Sequence, residues 1–316
     1  MVFKISVAVT CYNHSDYIEK CLRSIFEQTH QEIELLVFND GSTDNSDEVI
    51  TKVLETSPFA ETHYFSAENK GVARVRNEAL AKFTGDFLFF MDSDNFLNEN
   101  HLEILLTELS KKSADIAYCQ LWDFEHKHNL LREDLDFSWE KELEGNLIDV
   151  SSLVKREVLK NVQFDETLQN LEDFDFWLNI FMQHQAKAIF VSETKLNYRV
   201  LDDSRSARDD WEQYYQSYFY ILDKYRDKIS DDIIHALQSN VFLWVKNYEA
   251  LKQDLAQDFE QKLADKDQHI KDQDEFIQKA LHDKDVHIES QAAEIENLKN
   301  SPEYRLGRKL RHPFRK

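Results

Sequence analysis

The chain has 316 residues, 42% of them hydrophobic and 31% charged, and a formal net charge of -22. That length accommodates one large catalytic domain with an appendage, and the acidic balance excludes a general nucleic-acid binder. No uncharged apolar run reaches about 18 residues, so no membrane-spanning helix is expected.

Residues 1 to 10 carry one lysine followed by a short apolar alternation, which reads as a first strand and is too short for a signal peptide. Ile5 to Thr10 is that strand, and it ends in the polar turn Cys11-Tyr12-Asn13-His14-Ser15. A helix follows with Ile18, Leu22, Ile25 and Phe26 on one face. Ile33 to Phe38 is a second strand, ending in Asn39-Asp40-Gly41-Ser42-Thr43-Asp44-Asn45-Ser46; Val49, Ile50 and Val53 mark the next helix. His63 to Ser66 is a short third strand, and Asn69-Lys70-Gly71 turns into a helix from Val72 to Ala81. Phe87 to Met91 is an apolar run that stops at Asp92-Ser93-Asp94-Asn95. Strands alternating with helices predict a mostly parallel sheet in an α/β layer. Ligands in such sheets sit at the carboxyl ends of the strands, where residues 10–15, 39–46 and 92–95 all fall.

Two carboxylates separated by one small residue suit a hard cation between protein and phosphate oxygens. Asp, Ser and Asn also favour plain turns. Neither a Gly-x-Gly-x-x-Gly nor a Walker-type Gly-Lys-Ser/Thr follows an early strand, so a bound nucleotide must be held by acids and a metal. Asp40 suits a base or ribose contact, since a carboxylate accepts from N–H or hydroxyl groups. Asp40 and Asp44 equally suit turn and helix-cap roles. The three cysteines, Cys11, Cys21 and Cys119, form no close ligand cluster and read as buried residues of a reducing compartment.

Five pieces now stand in one order: Ser6 to Asn13, Asn39 to Asp44, Asn69 to Asn77, Asp92-Ser93-Asp94, and Leu171-Glu172-Asp173-Phe174-Asp175-Phe176-Trp177-Leu178. Over roughly residues 4 to 200 the pattern resembles the family 2 glycosyltransferases, inverting enzymes with the glycosyltransferase A fold. The resemblance implies an α/β fold with a mostly parallel or mixed nucleotide-binding sheet flanked by helices. It implies that Asp40 contacts the nucleotide base, that Thr10 and Tyr12 line the base and ribose pocket, and that Asp94, with Asp92, holds Mn²⁺ or Mg²⁺. Ser93 is counted with the donor site. Arg74 and Arg76 would lie near the sugar nucleotide or support its loop; Arg76 equally suits a structural pair with Asp92 or Glu78. Many relatives have an aspartate where this chain has Asn95, a carboxamide able to coordinate weakly or fix a loop.

Downstream, Leu102, Leu105, Leu106 and Leu109 give a helical face and Ile116 to Leu121 a strand. Residues 122 to 145 are irregular, acidic and aromatic. Trp122, Phe124, Phe137 and Trp139 suit either an acceptor lid or a small core, with Trp139 the candidate sugar platform. Lys155-Arg156 starts a helix ending near Lys160. Glu172-Asp173 opens another amphipathic helix, where acids favour the helix N-terminus in any protein. The resemblance makes Asp173 the general base that takes the proton of an attacking hydroxyl, with Glu172 the near alternative. Ile189 to Tyr198 is a strand followed by Arg199, and no histidine follows until His235, so the histidine that relatives often supply as third metal ligand has no match here and water or the diphosphate would complete the shell. Arg205, in a polar loop, suits neutralising the leaving group.

From Trp211 the chain reads as helical. The expected division is 1–210 catalytic domain, 211–255 helical packing region, 256–300 long charged helix or weak coiled coil, and 301–316 basic amphipathic tail. Leu263, Ile270 and Ile277 recur every seven residues; a four-residue step, read as a stutter, leads to Leu281, Ile288 and Ile295. Lys266 and Gln273 fall opposite and weaken the seam, which fits either a homo-oligomer or a solvent-facing helix. From Ser301 onward six Arg/Lys face one acid, with Tyr304, Leu306, Leu310 and Phe314 interspersed. That composition suits an anionic membrane surface. The functional expectation is transfer of a sugar from a nucleotide-sugar, UDP-sugar favoured, to a glycan or lipid-linked acceptor. The enzyme would be cytoplasmic and peripherally attached to the inner face of the cell membrane. The alternative is a non-catalytic sugar-nucleotide-binding scaffold.

Overall fold

A computed structural model describes all residues except 1, 132–135, 139–140, 144–145, 202–210, 230 and 306–316; side chains of 211–212, 231–251 and 254–255 are likewise outside the description. Arg205, Trp139 and most of the basic tail therefore lie outside the described residues. The chain divides into two compact units, residues 1–240 and 241–316.

The first unit is built on strand β1, Ile5–Cys11, in which every residue is buried. A strand covered on both faces reads as a continuous apolar run rather than an alternation. β2 (Ile33–Asp40) and β4 (Phe87–Asp92) flank it in parallel, and β3 (Glu61–Ala67) adds to β2, also in parallel. The short β7 (Leu153–Lys155) runs antiparallel beside β4 and beside β5 (Ile116–Asp123). β6 (His128–Asn129) pairs with the far end of β5, and β8 (Ala188–Tyr198) lies parallel to β5. The expected mixed sheet is thus present, with β7 antiparallel in its middle and β6 antiparallel at its edge beside β5.

Side chains alternate across this sheet. Ile5, Val7 and Val9 with Phe87, Phe89 and Met91 face one layer, formed by α1 (Ile18–Phe26), α2 (Ser46–Leu54) and α4 (His101–Lys111). Ala8, Leu36, Leu88 and Phe90 face the other, formed by α3 (Val72–Lys82) and α5 (Glu172–His184), whose Phe176, Trp177, Ile180 and Phe181 are buried there. The helix expected at Lys155-Arg156 is a single 3₁₀ turn, Arg156–Leu159. α6 (Trp211–Lys224) packs back onto this unit. Tyr218 Oη donates to the Leu143 carbonyl at 2.6 Å, and Lys224 bridges Asp165 and Asp175.

Register sets what meets at the sheet's carboxyl edge. Thr10 of β1 stands beside Phe38 of β2 on one side and Asp92 of β4 on the other. The β4–β1 ladder runs out to Asp92, whereas the β4–β7 ladder stops at Phe89. The second unit continues the helix α7 (Asp231–Asn300), and its side chains from 256 to 300 are exposed. Among the described residues no helix is long and apolar enough to cross a membrane.

Candidate functional site

The turn after β4 is stapled from several directions. Thr10 Oγ1 donates to Asp92 Oδ1 at 3.1 Å, and the Ser93 amide donates to the Thr10 carbonyl at 3.2 Å. Ser93 is fully buried, with its hydroxyl 2.7 Å from His14 Nδ1. Asn95 accepts the Arg199 amide at 2.9 Å, and Arg199 Nε donates to the Asp94 carbonyl at 3.2 Å. The asparagine that departs from the family pattern therefore ties the Asp-Ser-Asp turn to the end of β8. Burial, with the charge of Asp92, pushes the Asp94 carboxyl up to about 7.

Arg76 links this turn to α5. Its guanidinium, 2% exposed, donates to Asp92 at 2.9 Å and to Glu172 at 3.1 Å. Burial opposes its charge; Asp92 and Glu172 more than offset that. Of the two structural partners open in the sequence, Asp92 is the one observed, with Glu78 pairing to Lys70 instead.

Glu172 and Asp173 open α5 behind Leu171, whose φ of 58° turns the chain sharply into the helix. Asp173 Oδ2 accepts Asn146 Nδ2 at 2.8 Å, and Oδ1 accepts the Phe174 amide at 2.9 Å. Burial and the Glu172 charge raise its pKa. Two further groups belong to this constellation and were missed in the sequence. Asp149 is pushed up to about 7 by burial and by Asp92. Its signal was an acid set between two buried apolar residues, Ile148 and Val150. Tyr214 of α6 is raised by burial and then by the Asp173 charge.

The third group of predicted residues surrounds Asp40. Its two oxygens accept the amides of Lys70 and Gly71, each at 2.9 Å. It thus clamps the loop before α3, and its remaining lone pairs stay available as acceptors. Gly41, with a φ of 70°, packs so closely that a Cβ would overlap the Asn69 amide nitrogen. Asp44 accepts the Ser15 amide at 2.9 Å and the Ser46 amide at 3.0 Å, joining the loops after β1 and β2. These bonds hold its carboxyl down at about 2 against burial. Tyr12 is 46% exposed at the rim. Arg74 lies at the surface and pairs with Glu166 at 2.9 Å. In the aromatic stretch, Phe124 packs on Phe96 and Phe137 on Phe181.

A separate trio, Glu34, Glu61 and His63, brings potential ligand atoms together on β2 and β3. Glu34 is already satisfied by Ser6 and Thr84, and Glu61 by Lys4. That trio stands apart from the Asp92–Asp94 turn, so the two acidic groups are distinct.

Residues 6–163 match the model of glycosyl transferase family 2. The chain is 30% identical over 198 residues to an uncharacterized glycosyltransferase of Haemophilus influenzae, covering 58% of this chain and 77% of that one. It is 35% identical over 127 residues to glycosyltransferase GlyA of Streptococcus pneumoniae, 40% of this chain but only 18% of that protein. It is 30% identical over 216 residues to the minor teichoic acid biosynthesis protein GgaB of Bacillus subtilis, 65% of this chain and 24% of that one. In fold it is similar to S. aureus TarS 1-349 in complex with UDP-GlcNAc, with a TM-score of 0.58 at 21% identity, covering 69% of this chain and 65% of that one. It is also similar to the mannosyltransferase PcManGT of Pyrobaculum calidifontis in complex with GDP-Man and Mn²⁺, with a TM-score of 0.54 at 19% identity, covering 78% and 81%.

Proposed function

Because the chain belongs to glycosyl transferase family 2, we propose that it moves a sugar, hexosyl or N-acetylhexosaminyl, from a nucleotide-sugar to an acceptor hydroxyl with inversion. The observation that carries this reading is Asp173: a part-buried carboxylate oriented by two donors, with its pKa raised toward the value a proton acceptor needs. In this reading Asp173 takes the proton of the attacking hydroxyl as the nucleoside diphosphate departs from the opposite face. Glu172, paired with Arg76, keeps that guanidinium in place and is the second candidate for the base.

In this reading Asp40, Thr10, Tyr12 and Ser93 form the donor side, with Arg74, Arg76 and Arg205 as its candidate cations. The acids fit a divalent cation. Asp92, Glu172 and Asp173 act on the buried Arg76, and Asp94 and Asp149, both half-buried and both facing the charge of Asp92, stand at about 7. Asp94 and Asp92 would hold Mn²⁺ or Mg²⁺, which supplies positive charge to a donor diphosphate. UDP-GlcNAc in TarS supports a UDP-sugar, while GDP-Man in PcManGT supports the metal and leaves the base open.

The acceptor is a glycan or a lipid-linked acceptor, in line with the similarity to GgaB, a minor teichoic acid biosynthesis protein. The basic segment from Ser301 rests on anionic lipid, which cosedimentation with anionic liposomes of the full chain, but not of residues 1–300, checks. For the chemistry, Asp173→Asn is assayed with a panel of nucleotide-sugars and glycan acceptors. Turnover falls at least about a hundredfold while donor binding persists. Normal turnover in Asp173→Asn with a dead Glu172→Gln moves the base by one residue; normal turnover in both rejects the reading.

A further inference from the structure

We propose that the helix between Glu260 and Leu298 pairs with the same helix of a second copy of this chain, as an antiparallel two-stranded coiled coil. Leu263, Ile270, Ile277, Leu281, Ile288 and Ile295 lie on one unbroken helix, and each is between 50% and 61% exposed. A seam of that kind on a charged helix wants a partner.

The four-residue step from Ile277 to Leu281 is the ordinary d-to-a interval of a heptad and no stutter. One register then covers the whole segment. Leu263, Ile270, Ile277 and Leu298 occupy d, and Leu281, Ile288 and Ile295 occupy a. The other core positions are polar: Glu260, Asp267 and Asp274 at a, Lys284 and Gln291 at d. The two halves of the seam are therefore not alike. One carries apolar d with acidic a, the other apolar a with neutral or basic d.

In an antiparallel pair, each a position lies across from a d position of the other helix. A two-fold axis at Lys279 sets Ile277 against Leu281 of the second copy, Ile270 against Ile288, and Leu263 against Ile295. The same axis places Asp274 against Lys284 and Asp267 against Gln291. At the flanks e meets e and g meets g, which brings Lys271 to Asp285 and Lys266 to Glu294. Only the outermost layer, Glu260 with Leu298, is mixed. The axis that joins apolar residues to apolar ones thus also brings acids to bases. That is the self-complementarity an isologous interface requires. A parallel pair in register would set Asp267 and Asp274 on their own copies and Lys284 on its own, with Lys266 facing Lys271. Like charges in the core oppose that arrangement. Phe276 and Val286 fall outside the seam in either case.

Sedimentation velocity on the full chain tests the pairing. The wild type is a dimer. Asp274→Lys weakens the dimer at least about tenfold, because two ammonium groups then face each other across the seam where an acid met Lys284. Adding Lys284→Asp to that variant restores the wild-type affinity. These positions are exposed, so helicity by circular dichroism stays unchanged and the comparison reads association alone. Cysteine cross-linking fixes direction: Ala280→Cys links to itself, and Leu263→Cys links to Ile295→Cys but not to itself. Three results overturn the proposal: a wild-type dissociation constant weaker than about 100 µM, a charge swap that fails to restore pairing, or a Leu263→Cys self-link.

Discussion

Removing the charge of Arg76 gives the sharpest test of how the site is held. The guanidinium is 2% exposed and is shared by Asp92 at 2.9 Å and Glu172 at 3.1 Å. Arg76→Met keeps the stem that packs in α3 and leaves both carboxylates without their cation. The Asp92 side chain is 33% exposed, so its pair is discounted to about 1 kcal/mol for solvent screening. The Glu172 side chain is 6% exposed, and removing the cation paired with a buried charge costs about 3–5 kcal/mol. Relaxation around the cluster overlaps the two losses, so about 4 kcal/mol is expected in total, or a melting point lower by roughly 8–16 °C. Urea titration followed by tryptophan emission measures it, since Trp177 is fully buried against the same helix layer. Arg76→Met with Glu172→Gln recovers most of the loss, because the buried charge is then gone as well. A loss under about 1 kcal/mol in the single variant, or no recovery in the double, refutes the shared ion pair as a support of the fold.

His101 is buried against Phe89, bonded to Thr194 Oγ1 at 2.8 Å, and burial pulls its pKa down to about 4. The folded state keeps it neutral while the unfolded chain protonates near pH 6.5, so stability falls as pH drops from 6.5 toward 4, by roughly 3 kcal/mol at the end. Urea midpoints across that range show this slope in the wild type and a flatter one in His101→Asn. Gly41→Ala costs about 1–3 kcal/mol for the left-handed backbone and crowding at Asn69, and hydrogen exchange at the Lys70 and Gly71 amides speeds up as the Asp40 clamp loosens. If the proposed metal dependence holds, chelator is expected to abolish sugar transfer and Mn²⁺ to restore it in the wild type, whereas Asp94→Ala is expected to stay inactive with or without the metal yet unfold at the wild-type temperature.

The strand ends were legible because the central strands are covered on both faces and therefore show as unbroken apolar runs bounded by polar turns. The pieces that gather at those ends, Thr10, Asp40, Asp92 and Asp94, could be placed on one edge from the alternation alone. What escaped were contributions that carry no periodic signal. Asn146 and Asp149 sit in an irregular return segment, and only the fold reveals that it passes Asp173 and Asp92. The pairing of Arg76 with Glu172 was equally invisible, since α3 contacts α5 across a long stretch of sequence. The role of Asn95 as a tether for Arg199 depends on where β8 ends, which no local pattern states.

The short β7 has a further consequence. A strand of three residues closes the ladder against Phe87, Leu88 and Phe89 and then stops, so among the described residues the strand ladder of Phe90 to Asp92 runs on the β1 side alone. The sheet is, in effect, a wall with one course of bricks omitted beside its outermost carboxylate. Asp149 lies just upstream of that gap in the chain, and it feels the charge of Asp92. Extending β7 by the three residues that precede it, Val150 to Ser152, would carry the ladder along β4 to Asp92. The shortness of β7 therefore leaves the tip of β4, and with it the turn from Asp92 to Asp94, outside that ladder, and a redesign that lengthened β7 would be expected to tie the turn down.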